Sequence, residues 1–278
     1  MKSILIPVEK HVLIQPLFET ALLLGRALDG YTEGMAIMPN MPPYIASDIA
    51  IGDISMLDPE VRRTRAEASR RLFETFMTAK GVPWSDTGSS GLCSGWHRAE
   101  LEEDDFVGHY GRAFDITLLG QPSSQANHPR IPTVEAALFE SGRPVLIVPP
   151  ASHGTLGTTV MIAWNRSTET ARTIALAMPL LVKAQRIVVT ELEGWGVTGP
   201  SAYELSHTLK RDGLRVETRI IPNPHGHAGE AILSAAASLG CDLLVKGAYT
   251  QSRLRQFIFG GATSHILAHT TVPVLMAH

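Results

Sequence analysis

Short apolar runs alternate with longer stretches in which apolar side chains recur at helical spacing. SILIPV, TEGMAIM, ITLLG and PVLIV in the first half, and TVMIAW, RIVVTEL, LLVKG and PVLM in the second, are almost unbroken apolar runs. Unbroken runs, rather than strict alternation, predict parallel strands covered on both faces. Between them, residues 13–29 (LIQPLFETALLLGRALD) and 167–183 (STETARTIALAMPLLVK) read as amphipathic helices, the second with Ser167 as its N-cap. A further helix is predicted to start at Asp58-Pro59-Glu60, an N-cap followed by proline in the first helical position. Strand and helix alternate along the whole chain. The predicted class is therefore α/β, with right-handed crossovers and an open, doubly wound sheet flanked by helices.

The pattern also repeats. Phe114-Asp115-Ile116-Thr117-Leu118-Leu119-Gly120 corresponds to Cys241-Asp242-Leu243-Leu244-Val245-Lys246-Gly247: an Asp enters a strand and a Gly leaves it. The interval from that Asp to the next Pro-Val-Leu is 29 residues in the first half (Asp115 to Pro144) and 31 in the second (Asp242 to Pro273). These matches predict two tandem domains, residues 1–150 and 156–278, each a mostly parallel five-stranded sheet, related by a pseudo-two-fold and joined by the exposed linker PPASHGTLG. Glu9 to Asp115 spans 106 residues and Asn165 to Asp242 only 77. The excess is assigned to a Pro- and Gly-containing insertion at 38–57, read as a surface loop.

Composition narrows the function. Of 278 residues, 44% are hydrophobic and 18% charged, with net charge −3. That describes a well-cored globular protein without the basic surface that duplex nucleic acid demands. The two cysteines, Cys93 and Cys241, are far apart and form no Cys-x-x-Cys pair, so free thiols in a reducing, cytoplasmic setting are expected. No apolar run reaches the roughly 20 residues that span a bilayer, and no membrane partner is expected.

In an open α/β sheet, ligands bind beyond the carboxyl ends of the strands. In the second half this rule selects Ala163, Trp164 and Asn165 at the end of the first strand, Lys246 and Gly247 at the end of the fourth, and Gly260, Gly261, Ala262 and Thr263 before the last helix. Glycines there allow close backbone approach, and free amides at a helix N-terminus attract phosphate. Arg253 and Arg255 add positive charge to the intervening segment.

These residues carry a resemblance. The second half is similar to the universal stress protein family, whose ATP-binding members bear Gly-x2-Gly-x9-Gly-(Ser/Thr) after the fourth strand. Here Gly247 takes the first position and Gly260 the third. Thr250 stands where the second Gly is expected, and Gly261 where Ser or Thr is expected. DLLVKG before the motif and ATSHILAHTTVPVLMAH after it resemble the family, as do ILIPVE, FDITLLG and GRPVLIVPP in the first half. The resemblance implies an adenine nucleotide α-hydrolase-like fold and a stress-response protein without dedicated catalysis. It also implies ATP, as Mg–ATP, as the ligand of the second half, bound through the ten positions Ala163, Trp164, Asn165, Lys246, Gly247, Thr250 and Gly260 to Thr263. Asn165 replaces the family's Asp and Trp164 is bulky, able either to stack on a base or to fill its pocket. The first half lacks the motif: Gly120 is followed by QPSSQANHPRIPTVEAALFE, and Glu9 replaces the Asp. The family's last strands pair across a two-fold. PVLIV and PVLMA are therefore expected to pair within this chain, and a homodimer of such chains is also compatible. The alternatives are a weak ATP hydrolase of the same fold group and a partner-binding protein that holds no nucleotide.

Other motifs have plainer readings. Gly194-Trp-Gly196-Val-Thr-Gly199 has the dinucleotide-fingerprint spacing but follows the second strand of its repeat and runs into Pro200, so a loop is predicted. His225 and His227 lack further metal ligands. Glu100 and Glu102 to Asp105 suit the start of a helix, and Arg62, Arg63, Arg65, Arg70 and Arg71 alternate with glutamates on a solvated helix face. No metal site and no catalytic residue is assigned.

Overall fold

The computed structural model of the chain describes residues 1–38, 58–85, 91–98, 101–125, 127–151, 154–222, 227–248 and 261–278. The first half runs β1 (Ser3–Val8), α1 (Ile14–Leu28), β2 (Tyr31–Met38), α2 (Pro59–Ala79), β3 (Cys93–Trp96), β4 (Glu102–Glu103), α3 (Asp104–Gly111), β5 (Ile116–Gly120), α4 (Ile131–Glu140) and β6 (Val145–Val148). The second runs β7 (Thr159–Trp164), α5 (Thr168–Leu181), β8 (Arg186–Leu192), α6 (Ala202–Arg211), β9 (Val216–Ile221), α7 (Ala228–Ser238), β10 (Leu243–Gly247), α8 (Ala262–His269) and β11 (Val274–Ala277). Apart from Met38, the 38–57 insertion lies outside the described residues.

The strands form one sheet in the order β3-β2-β1-β5-β6-β11-β10-β7-β8-β9, with β4 paired to β2 off this path. Read inward from either edge, the two halves follow the same order. Neighbours are parallel except β6 and β11, which pair antiparallel with Leu146 opposite Leu275. The two five-stranded sheets of the sequence reading meet edge to edge through β6 and β11, the pairing of PVLIV with PVLMA that the resemblance implies. Residues alternate between the two faces of each strand. Ile4 and Ile6 join Leu17, Phe73, Ile174 and Leu209 on the face covered by α1, α2, α5 and α6. Leu5 and Met161 join Val107, Val134, Ile232 and Ile266 on the face covered by α3, α4, α7 and α8. Both faces are dry, which is why the strand sequences lack polar alternation.

Equivalent polar contacts fix the two halves. The Asp242 carboxylate accepts the backbone N–H groups of Thr158 and Thr159 at 3.1 and 2.9 Å, tying the start of β10 to the start of β7. Asp115 does the same for β1, accepting the N–H groups of Lys2 and Ser3. Both lie at the amino edge of the sheet, far from the ligand edge. Ser167 accepts the N–H of Thr170, and Asp58 that of Glu60, so α5 and α2 carry their N-caps where the sequence predicts them. Asp104 and Asp105 occupy the first turn of α3. On α2, Arg63 pairs with Glu60 and Glu67, and Arg70 with Glu74, on an exposed face.

Candidate functional site

At the carboxyl edge of the second half, most of the residues selected from the sequence lie close together, but few of their side chains face outward. Thr250 and Gly260, like Arg253 and Arg255, lie outside the described residues. Ala163 and Trp164 are buried. The Trp164 ring belongs to the core, and its indole N–H donates to the Pro200 carbonyl at 2.8 Å. It fills space; it is not placed to stack on a ligand. Asn165 is also buried. Its Oδ1 accepts from the Thr170 hydroxyl at 2.6 Å and from the Ser167 N–H at 3.3 Å, which makes it part of the α5 cap.

Gly247 shows why no side chain is tolerated at the end of β10. A Cβ there would sit 2.4 Å from the Thr170 amide nitrogen. The first turn of α5 is thus pressed onto the strand end that leads to the motif segment. The Gly194–Gly199 segment is a loop, in line with its sequence reading. It folds back on β7: Val197 N donates to the Asn165 carbonyl at 3.0 Å, and a Cβ on Gly196 would lie 2.9 Å from that oxygen. Arg166, at a left-handed φ of 66°, pairs with Glu191, whose other oxygen accepts the Ala202 N–H at 2.7 Å. Protein groups therefore fill the β7–β8 side of this edge.

The β10–α8 side is different. Lys246 is 3% exposed, and its ammonium donates to the Thr263 hydroxyl at 2.8 Å and to the Gly247 carbonyl at 2.7 Å. Burial pushes its pKa down from the lysine range to about 7. Thr263 lies in the first turn of α8, whose N-cap, Gly261, offers no side-chain cap. A helix N-terminus and a lysine thus converge on one spot, and among the described residues no carboxylate is bonded to that ammonium.

The first half resolves the same place in the opposite way. Glu9, the counterpart of Asn165, and Arg130, the N-cap of α4 and counterpart of Gly261, form an ion pair. Arg130 also pairs with Asp104 at 2.7 Å, and the Thr133 hydroxyl donates to that carboxylate. Burial raises the Glu9 carboxyl above its usual range, although Arg130 opposes the shift. Beside this network opens a cleft of about 540 Å³ whose lining includes Glu9, Ile37, Met38, Arg65, Leu101 and Arg130. The sequence points to the second half alone. The Arg130 network and this cleft escaped it, because only the alignment of Arg130 with Gly261 across the repeat signals them. His227 is paired with Glu230 at 3.5 Å on the exposed start of α7, and His225 lies outside the described residues. Among the described residues no group of three His, Cys, Asp or Glu is placed to hold a metal, and no helix is long and apolar enough to cross a membrane.

Comparison with known proteins agrees with this architecture. Residues 167–278 match the universal stress protein family. A universal stress protein of Synechocystis sp. is 36% identical over 67 residues, a match that covers 24% of this chain and 22% of that protein. The crystal structure of a universal stress protein from Archaeoglobus fulgidus superposes with a TM-score of 0.71 at 14% identity, covering 99% of this chain and 95% of that one. A functionally unknown protein from Pseudomonas aeruginosa gives 0.58 at 12% identity, covering 100% and 92%. At such identities the two structures show the fold: a mostly parallel α/β sheet flanked by helices.

Proposed function

We propose that the chain is a non-catalytic stress-response protein of two universal-stress-type halves, and that its second half holds an adenine nucleotide, as Mg–ATP, by the phosphates. One observation carries the reading: the contrast between Lys246 beneath the α8 N-terminus and Arg130 at the α4 N-terminus. Arg130 is neutralised by two carboxylates. Among the described residues Lys246 has only a hydroxyl and a carbonyl. A phosphate at the α8 N-terminus would bring negative charge to this ammonium, held by first-turn N–H groups, the helix dipole and Lys246 together. Thr263, bonded to Lys246, offers a hydroxyl where Gly261 has none. Asn165 acts indirectly, by holding the α5 turn against Gly247.

The test is to denature the purified protein gently and identify the released small molecules by mass spectrometry. A co-purifying adenine nucleotide supports the reading. No released nucleotide, together with no binding at millimolar ATP, sinks it. The second reading, a partner-binding protein without nucleotide, is favoured by the filled β7–β8 side, where Trp164, Arg166 and Glu191 occupy the space a base would need.

A further inference from the structure

The continuous sheet has two edges, β3 and β9, in equivalent places of the two halves. They are treated differently. At β3 the outward groups are used: Ser94 N donates to the Pro83 carbonyl and Ser85 N to the Ser94 carbonyl, both at 2.8 Å. The 83–85 segment closes that edge. At β9, Ile187 N donates to the Arg215 carbonyl and Glu193 N to that of Ile221, with Val216 to Ile221 in parallel register with β8. Only the odd-numbered residues of β9 therefore bond to β8. The N–H and C=O groups of Val216, Thr218 and Ile220 point away from the sheet, and no described residue bonds to them. Natural sheets close or disrupt such edges unless something pairs with them.

We propose that β9 is a dimerisation edge: two copies of this chain pair β9 to β9, antiparallel, across a two-fold axis at Thr218. The occupant must be self-complementary about that axis, and β9 is. Centred on Thr218, Glu217 of one copy faces Arg219 of the other, Val216 faces Ile220, and every outward-facing backbone group meets its counterpart. Moving the centre one residue either way places Arg219 against Arg219, or Glu217 against Glu217, and like charges directly opposite are unfavourable. Shifts of half a residue set outward groups against groups already bonded to β8. Glu217 and Arg219 are both solvent-accessible and lie 3.5 Å apart within one copy; Glu217 also pairs with Arg186 on β8, which fixes its carboxylate at the edge, while Arg219 has only Glu217 among the described residues. Ile220 is 43% exposed and borders an open groove of about 320 Å³ with Pro222, Ala231 and Ser234, an apolar strip that pairing would cover. This inference is independent of any bound nucleotide, because β9 is the strand farthest from β10 in its half.

Sedimentation velocity on the full chain tests it. The wild type is expected to show a concentration-dependent monomer–dimer equilibrium. Glu217→Arg and Arg219→Glu should each weaken it roughly tenfold, and their equimolar mixture should restore it, because the mixed pair again sets opposite charges together. Thr218→Pro removes an outward N–H that the β8 ladder does not use, so it should abolish dimers while leaving the circular dichroism and Tm near wild type. A wild type that stays monomeric at about 100 µM, a dimer indifferent to Thr218→Pro in a folded variant, or a charge-reversal mixture no tighter than its components overturns the proposal. A dimer abolished by none of these changes places the contact elsewhere and equally overturns it.

Discussion

Lys246 and Gly247 are adjacent, yet their constraints differ in kind. Gly247 is steric: an Ala Cβ would press on the Thr170 amide nitrogen at 2.4 Å, so Gly247→Ala must push α5 off the strand end. We expect a loss of roughly 2–3 kcal/mol in urea unfolding. Lys246 is electrostatic. Burial holds its folded pKa at about 7, well below the ordinary lysine value, so the folded state disfavours the charged form. The resulting penalty is full below pH 7 and is relieved as pH rises from about 7 to about 10.5. Met has similar length and no charge. Lys246→Met should therefore raise Tm by about 5 °C at pH 6, with the gain shrinking steadily toward pH 10. A gain that is constant with pH would show that the lysine is not buried in this way. Both positions were picked from the sequence as candidate site residues. Their roles were not legible there, because a strand-end lysine reads the same whether it snorkels to solvent or turns inward to a helix N-terminus.

At the scale of elements, the caps and strand anchors carry most of what the sequence specifies. Asp115 and Asp242 were legible as the residues that enter β5 and β10. The structure adds their purpose, holding the first strand of each half by paired amide N–H groups. Asp242 is 8% exposed, whereas the Asp115 side chain is 36% exposed. Asp242→Ala should accordingly cost roughly 2 kcal/mol and Asp115→Ala less, by denaturant titration of each. Ser167→Ala should cost about 1 kcal/mol through its lost cap. Trp164 and the 194–199 loop were less legible. An aromatic ring at a strand end and a Gly-x-Gly-x-x-Gly spacing each suggest a ligand locally. Only the return of the loop onto β7, with the Pro200 carbonyl meeting the indole, shows that both serve packing.

The whole molecule is two copies of one strand order fused through β6 and β11, so a single chain supplies an antiparallel junction between its halves. The fold class was readable because strands covered on both faces leave unbroken apolar runs. The first-half cleft was not, because it depends on where Arg130, Glu9 and Asp104 meet, three residues remote in sequence. The halves differ in charge: Arg130 is answered by two carboxylates, while Lys246 bonds, among the described residues, to a hydroxyl and a carbonyl. Calorimetric titration of Mg–ATP into the wild type and Gly261→Glu, at pH 6 and pH 8.5, tests this most directly. The account predicts micromolar binding in the wild type, weaker at pH 8.5 because Lys246 must then take up a proton, and a loss of roughly tenfold or more when a carboxylate occupies the α8 N-cap. Equal affinity in both proteins at both pH values, or no heat at all, would contradict it.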